Sequence, residues 1–358
     1  MKTASFLPCA LALAVLAQPA SAAETAADSS EAAAPVASES PAPRFSLEGG
    51  SASALLYLPQ GAGPAGTLTG HLDAEANQAL DQVAFFLRIF SSNPTYEIPK
   101  ETSLSGTMSG FSIGGDLSAG RFGRFTVEVS GLTGNMDYDS GLKPFLGTLS
   151  YELNGVPGTA YLYGMMMRSS SLDIDRASVL GLWRPAAIGD WFGAGFEFSH
   201  TAYSEDYCVG YGLAINETTD KPYGIETLNY STNFHSNDVL LHVRLGGTPF
   251  PKISAKDGKY GFVPKLDLAF GRSFREMGNI RRVIHSSDDM VAEDDSASDG
   301  LFDDEWIFQG SATVSFFYKI ARGTLSLDAG YAYSRDFGGS DKTDQSGFTA
   351  RLGYSFRR

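Results

Sequence analysis

From about residue 105 to the C-terminus, apolar and polar positions alternate over long stretches, each closed by a short polar break containing Gly or Pro. In 321–335 the residues Leu325, Leu327, Ala329, Tyr331 and Tyr333 fall on one side, and Thr324, Ser326, Asp328, Gly330 and Ser334 on the other. The last stretch sets Phe348, Ala350, Leu352, Tyr354 and Phe356 against Thr349, Arg351, Gly353 and Ser355. The same division appears in 122–131, 239–245 and 262–270. A period of two is that of a β-strand with two chemically different faces.

Segment length chooses between two all-β architectures. Strands of soluble proteins average about 5–6 residues, whereas strands that cross an outer membrane need about 9–11. The segments here are of the second kind. Their small and ionic faces suit a wet lumen, their apolar faces suit lipid, and Trp306, Tyr318, Tyr333 and Tyr354 stand near segment ends, where aromatic girdles sit. Lipid tolerates no unpaired backbone, so such strands must close. The expected fold is therefore all-β, a closed antiparallel transmembrane β-barrel.

Read backward, the candidate strands are 347–356, 322–335, 304–318, 260–274, 237–246, 223–233, 206–215, 191–202, 172–184, 158–168, 143–153, 121–132 and 105–117, with 45–57 as one more. Single-chain bacterial barrels have even strand numbers, so about 14 strands are expected, with 12 as the alternative. If the last strand ends in the periplasm, 118–120, 154–157, 185–190 and 319–321 are inward turns. The long breaks 133–142, 275–303 and 336–346 then face outward. In the middle of the chain three outward loops come out very short, and the inward break 247–259 comes out long.

Residues 58–104 break the repeat. Leu72, Ala76, Ala79, Leu80, Val83, Phe86, Leu87 and Phe90 recur at three- and four-residue spacing, which predicts an amphipathic helix in a loop or plug segment. At the N-terminus, Met1-Lys2, an apolar run from Phe6 to Leu16 and Ala20-Ser21-Ala22 have the layout of a cleaved secretory signal peptide. Residues 23–43 are Ala, Ser, Pro and Glu without a large apolar group, the composition of a disordered leader. The expected map is a signal peptide over 1–22, a leader over 23–43, a first strand plus helix-containing segment over 44–104, and the barrel over 105–358.

Composition adjusts this picture. The chain has 358 residues with 27 Lys+Arg against 41 Asp+Glu, a formal charge of −14. No basic stripe is available for phosphates, so nucleic acid is not an expected partner. The 40 glycines, 16 tyrosines and 24 phenylalanines fit strands that alternate small lumen groups with lipid-facing rings. Cleavage after Ala22 would remove Cys9 and leave Cys208 as the one thiol, so no intramolecular disulfide is expected.

The signal peptide, the hairpin rhythm and the aromatic-terminated last strand together resemble the Gram-negative outer-membrane β-barrel superfamily, porins included. The resemblance spans 105–358 and extends to 45 if the first strand is counted. It implies an outer-membrane location, contact with lipid and lipopolysaccharide, and reading of Phe348, Leu352, Tyr354 and Phe356 by the barrel assembly machinery. Arg357 and Arg358 depart from the superfamily's terminal aromatic.

Candidate chemistry is sparse. His235 and Ser236 resemble the His/Ser clusters of outer-membrane acyl hydrolases, but as neighbours in a strand they would point to opposite faces. His71, His200, His242 and His285 lack the spacing of a zinc site. No catalytic residue and no firm metal ligand is expected. The stretch 288–305 holds nine carboxylates, and Asp294, Ser296, Ser298 and Glu305 fall at positions 1, 3, 5 and 12 of a calcium-loop frame, with Gly300 one place late. The bland reading is a solvated external loop, so no cofactor is expected beyond this weak calcium candidate. By alternation the lumen should carry Arg124, Glu128, Glu152, Arg176, Glu197, His242, Arg244, Lys265, Asp267, Asp328 and Arg351. Such charges either tune an aqueous pore or pair and close it. The expected function is porin-like diffusion of small hydrophilic solutes. The alternatives are a structural or surface-interaction barrel with an acidic loop and, behind it, an outer-membrane acyl hydrolase.

Overall fold

The computed structural model describes residues 45–61, 85, 104–141, 143–153, 155–216, 226–247, 249–250, 253–277, 280–285, 291–296, 305–337 and 344–357. The chain divides into two units, Met1–Ala42 and Pro43–Arg358. The signal peptide and the leader lie outside the described residues. So does the helix expected over 72–90, except Phe85, whose backbone is helical.

Thirteen strands are described: β1 (Ser46–Gly61), β2 (Leu104–Ser118), β3 (Arg124–Asp139), β4 (Lys143–Leu153), β5 (Val156–Arg184), β6 (Phe192–Asn216), β7 (Glu226–Gly246), β8 (Tyr260–Met277), β9 (Ile280–His285), β10 (Val291–Ser296), β11 (Glu305–Ile320), β12 (Gly323–Phe337) and β13 (Asp344–Arg357). All pairings are antiparallel. Ten of the strands close a ring in the order β1, β2, β3, β5, β6, β7, β8, β11, β12, β13 and back to β1. The closing seam sets Ala54 opposite Leu352 and Leu58 opposite Phe348. β4 pairs with β5 off the ring, and β9 and β10 form a hairpin on the edge of β7.

The ring thus has ten strands rather than 14 or 12, because three pairs of expected strands are single long strands and the expected wall strand 143–153, β4, pairs with β5 off the ring. β5 runs 29 residues, β6 25 and β7 21. The expected short loops at 169–171, 203–205 and 234–236 are instead continuous paired backbone, with Ser170 opposite Tyr207 and Ala202 opposite His235. Polar runs such as Ser169-Ser170-Ser171 look like breaks in a chain of apolar alternation. Ladder hydrogen bonds need only backbone, and these continue through them. The turn at 154–157 also moves: Gly155, with φ 78°, joins β4 to β5 at the end opposite to the expected one.

One end of the barrel holds the breaks at 119–123, 185–191, 247–259 and 321–322, and is called here the turn end. The other, the loop end, is where β1 ends at Gly61, β3 at Asp139, β6 at Asn216, β8 at Met277 and β12 at Phe337. At the turn end Gly123, at φ 114°, closes a 3-10 turn, where an added Cβ would lie 2.0 Å from the carbonyl oxygen of Arg184. Only glycine fits that corner.

Candidate functional site

The wall of the barrel changes character along its length. Near the turn end, apolar side chains face out and polar ones face in. On β3 these are Phe125, Val127 and Val129 outside, and Arg124, Thr126 and Glu128 inside. On β6, Phe196 and Phe198 are each 57% exposed, while the alternating Glu197 and Ser199 are buried. Toward the loop end the faces exchange. Thr133, Asn135 and Asp137 point out of β3, while Met136 is buried. Ser171, Asp173 and Asp175 point out of β5, while Leu172 and Ile174 are buried. On β7 the exposed set is Asn233, His235 and Asn237, with Phe234 buried among them. β2 repeats it, with Phe111 and Ile113 outside toward one end and Ser105, Thr107 and Ser109 outside toward the other.

The exchange occurs at one level, because register links Gly110 to Leu132, Leu132 to Arg176, Arg176 to Thr201 and Thr201 to Ser236. Above it Leu104, Met108, Met136, Leu172, Ile174 and Phe234 form one buried cluster inside the ring, against which Tyr57, Leu132, Tyr138 and Tyr203 pack. Tyr203 stacks on Phe234 with ring centroids 4.4 Å apart.

Below that level lies a chamber of about 630 Å³. Charged side chains cross-link its walls. Arg351 Nη1 is 2.8 Å from Glu128 Oε1, and its Nε donates to Ser53 Oγ at 2.8 Å. Lys265 Nζ reaches Asp328 at 3.0 Å, and Arg244 Nε reaches Asp267 at 2.6 Å. Glu197 accepts from Arg176 at 3.0 Å and lies 3.4 Å from His242 Nε2. Arg124, near the turn end, pairs with Glu48 at 3.0 Å and Asp190 at 3.2 Å. The Glu128–Arg351 pair spans from β3 to β13 and Lys265–Asp328 from β8 to β12, so these contacts bridge strands that are not ring neighbours. With side chains 13–32% exposed, they are tightened by a dielectric well below that of water.

Nine of the eleven residues expected in the lumen are thus brought together as ion pairs, and a tenth, His242, stands against Glu197. The exception is Glu152. It lies in β4, opposite Pro157, on a strand that is no part of the ring wall. Several residues were missed: Asp116, Arg184, Asp238, Arg275 and Asp336 also line the chamber. Asp238 accepts from Ser199 at 2.9 Å and from Ser273 at 2.7 Å. The signal for Arg275 was present, because it shares the parity of Lys265 and Asp267. Its place just after the expected segment 260–274 reads as loop, whereas β8 continues to Met277.

The remaining candidates separate. His235 faces outward and stacks on His200 with ring centroids 5.4 Å apart, whereas Ser236 is buried and lines the chamber. The two therefore occupy opposite faces, as neighbours in a strand must. The calcium frame begins in strand rather than loop: Asp294 stands opposite Arg282 and Ser296 opposite Ile280 in the β9–β10 hairpin. Ser298 is outside the described residues, and Glu305 lies 3.4 Å from Arg275 Nη2. Phe348, Leu352, Tyr354 and Phe356 project outward from β13. Cys208, outside the apolar band on β6, is half-buried, and burial pushes its thiol pKa up.

Outside, the apolar band ends in aromatic rings at both rims: Trp183 and Trp191 at the turn end, Trp306 and Phe337 at the other. Trp306 and Ile320 bound nearly the whole of β11. At the usual rise and tilt that length is about 33 Å along the barrel axis, close to the ~30 Å of a bilayer core. A closed ring, a greasy outside with aromatic rims and a charged inside now stand together. The fold is that of an outer-membrane β-barrel. No family model and no curated protein matches the chain. Among solved structures it is similar to the outer membrane protease OmpT from Escherichia coli, at 7% identity and a TM-score of 0.34, covering 88% of this chain and 98% of that one. It is also similar to the transport unit of the autotransporter AIDA-I from Escherichia coli, at 11% identity, TM-score 0.29 and coverage of 86% and 90%. The β domain of the Bordetella autotransporter BrkA shows 11% identity, a TM-score of 0.30 and coverage of 87% and 100%.

Proposed function

We propose that the protein is an outer-membrane barrel whose turn half sits in lipid, with its turns in the periplasm, and whose loop half stands in water as a surface-interaction module. The exchange of faces at one level across β2, β3, β5, β6 and β7 carries this reading. A wall that is greasy outside needs lipid around it. A wall that is polar outside and apolar inside is a soluble barrel with its own core. Export by the N-terminal signal and assembly through the last strand complete this reading, in which the protein performs no covalent chemistry. Brominated lipids test it on single-tryptophan variants: Trp183, Trp191 and Trp306 are expected to be quenched, and a tryptophan placed at Asn233 is not. Equal quenching at both levels would overturn it. An epitope inserted after Gly141 should label intact cells, while one after Gly120 should need permeabilised cells.

Passive diffusion of small solutes is the second reading, and the charged chamber below the cluster favours it. Ten strands stand near the narrow end of the series in which side chains fill the interior, far from the 16–18 strands of wide porins. The buried cluster of Leu104, Met136, Leu172 and Phe234 faces whatever would pass. Planar-bilayer recordings separate the two readings: background current is expected from the surface module, and stable steps would establish the channel.

A further inference from the structure

The chamber under the apolar cluster is balanced in charge, unlike the chain as a whole. Six carboxylates and six cationic side chains line it, whereas the chain carries −14. Around them stand neutral hydrogen-bonding groups, among them Ser236, Ser273, Ser334, Gln309 and Gln345. Tyr57 and Tyr203 lie where the chamber meets the cluster.

One cation in this lining is incompletely used. The Arg275 side chain is 2% exposed, and its Nε, Nη1 and Nη2 make no hydrogen bond among the described residues. Glu305 at 3.4 Å and Asp336 at 3.8 Å offset its charge without satisfying its donors. A buried guanidinium with open donors is costly unless an acceptor comes to it. Two carboxylates already stand beside it, so a third anion would be repelled. A neutral acceptor would not. His242 Nδ1, also buried and without a hydrogen-bond partner, offers a second open position lower in the same chamber.

We infer that the chamber is a binding site for a neutral, hydroxyl-rich solute of the saccharide class, held by the Arg275 guanidinium. Sugar oxygens accept from the planar fork, sugar hydroxyls donate to the surrounding carboxylates and serines, and the Tyr57 and Tyr203 rings offer apolar faces to the C–H side of a pyranose. The lining continues to Asp116, Arg184 and Ser355 close to the turn-end rim, so the solute enters from that end. The site does not depend on whether the lumen conducts.

The test is calorimetric titration of the full-length barrel in a detergent without sugar headgroups, such as an amine oxide. Glucose, maltose, trehalose and sucrose are the probes, with inorganic phosphate and glycine betaine alongside. Saturable one-to-one binding of at least one sugar is expected, with neither phosphate nor betaine competing. Arg275→Lys keeps the ion pairs with Glu305 and Asp336 but loses the fork, and it should weaken that binding by at least about tenfold. Its heat-modifiable migration on a gel should match that of the parent barrel, which shows that it folds. Ser334→Leu, which fills space in the chamber without touching an ion pair, should weaken sugar binding as well. Binding of phosphate or betaine in place of sugar would overturn the assignment, as would no binding by any of the four sugars or unchanged affinity in both variants.

Discussion

The two halves of the wall are made of the same strands and obey opposite rules. In the turn half of β7, Val239, Leu241 and Val243 face out while Asp238, His242 and Arg244 face in. A few residues away on the same strand, Asn233, His235 and Asn237 face out while Phe234 is buried inside. The backbone ladder runs through both without interruption. Solvent, not secondary structure, decides which face is greasy. Lipid requires an apolar exterior and leaves the interior to charges that satisfy one another. Water requires the reverse, and the interior takes up the apolar cluster of Leu172, Ile174 and Phe234, with Arg168 and Glu205 also buried in that half.

Mutations that exchange the two environments sharpen this contrast. The largest effect is expected at Phe234, the fully buried aromatic of the loop-half core. Phe234→Ala should cost about 3–5 kcal/mol in urea unfolding and open the loop half to protease while the turn half stays protected. Leu241→Arg, on the apolar outer side, should cost about 2–4 kcal/mol in bilayers. Asn233→Arg, on the same side of the same strand but past the exchange level, should stay within about 0.5 kcal/mol. Equal costs for these two would erase the boundary. Glu128→Gln removes the carboxylate facing Arg351 inside the turn half and should cost about 1–3 kcal/mol, read from the unfolding midpoint. The smallest effect is kinetic. Burial raises the pKa of the Cys208 thiol, so less of it is thiolate at neutral pH than in a free cysteine. Maleimide labelling of native protein should be slower than that of the urea-unfolded chain at pH 7, and the gap should narrow as pH rises through the raised value.

Much of this was legible in the residues themselves. Alternation over 262–270, 322–335 and 347–356 placed Lys265, Asp267, Asp328 and Arg351 on one face, and these meet as Lys265–Asp328, Arg244–Asp267 and Arg351–Glu128. Alternation gives the face of a side chain because successive residues in a strand must point oppositely. It does not give the partner. Nothing in 121–132 indicates that Glu128 will meet a residue more than two hundred positions away, because that depends on which strands close the ring.

The strand count failed for a related reason. Length templates for membrane strands assume that a strand ends where its membrane-type face ends, and β5, β6 and β7 continue past that point with polar residues outside. A segment such as Ser169-Ser170-Ser171 carries turn-forming composition, yet it is held extended by neighbours on both sides.

The sequence by itself determined the all-β class, the polarity of the turn-half faces and the charged character of the lumen, since each follows from local alternation and side-chain chemistry. Tertiary structure alone decided the number of strands, the pairing of the charges, the level at which the faces exchange and the burial of Arg275. All four depend on ring closure, which brings distant strands into register and sets how much interior space their side chains must share.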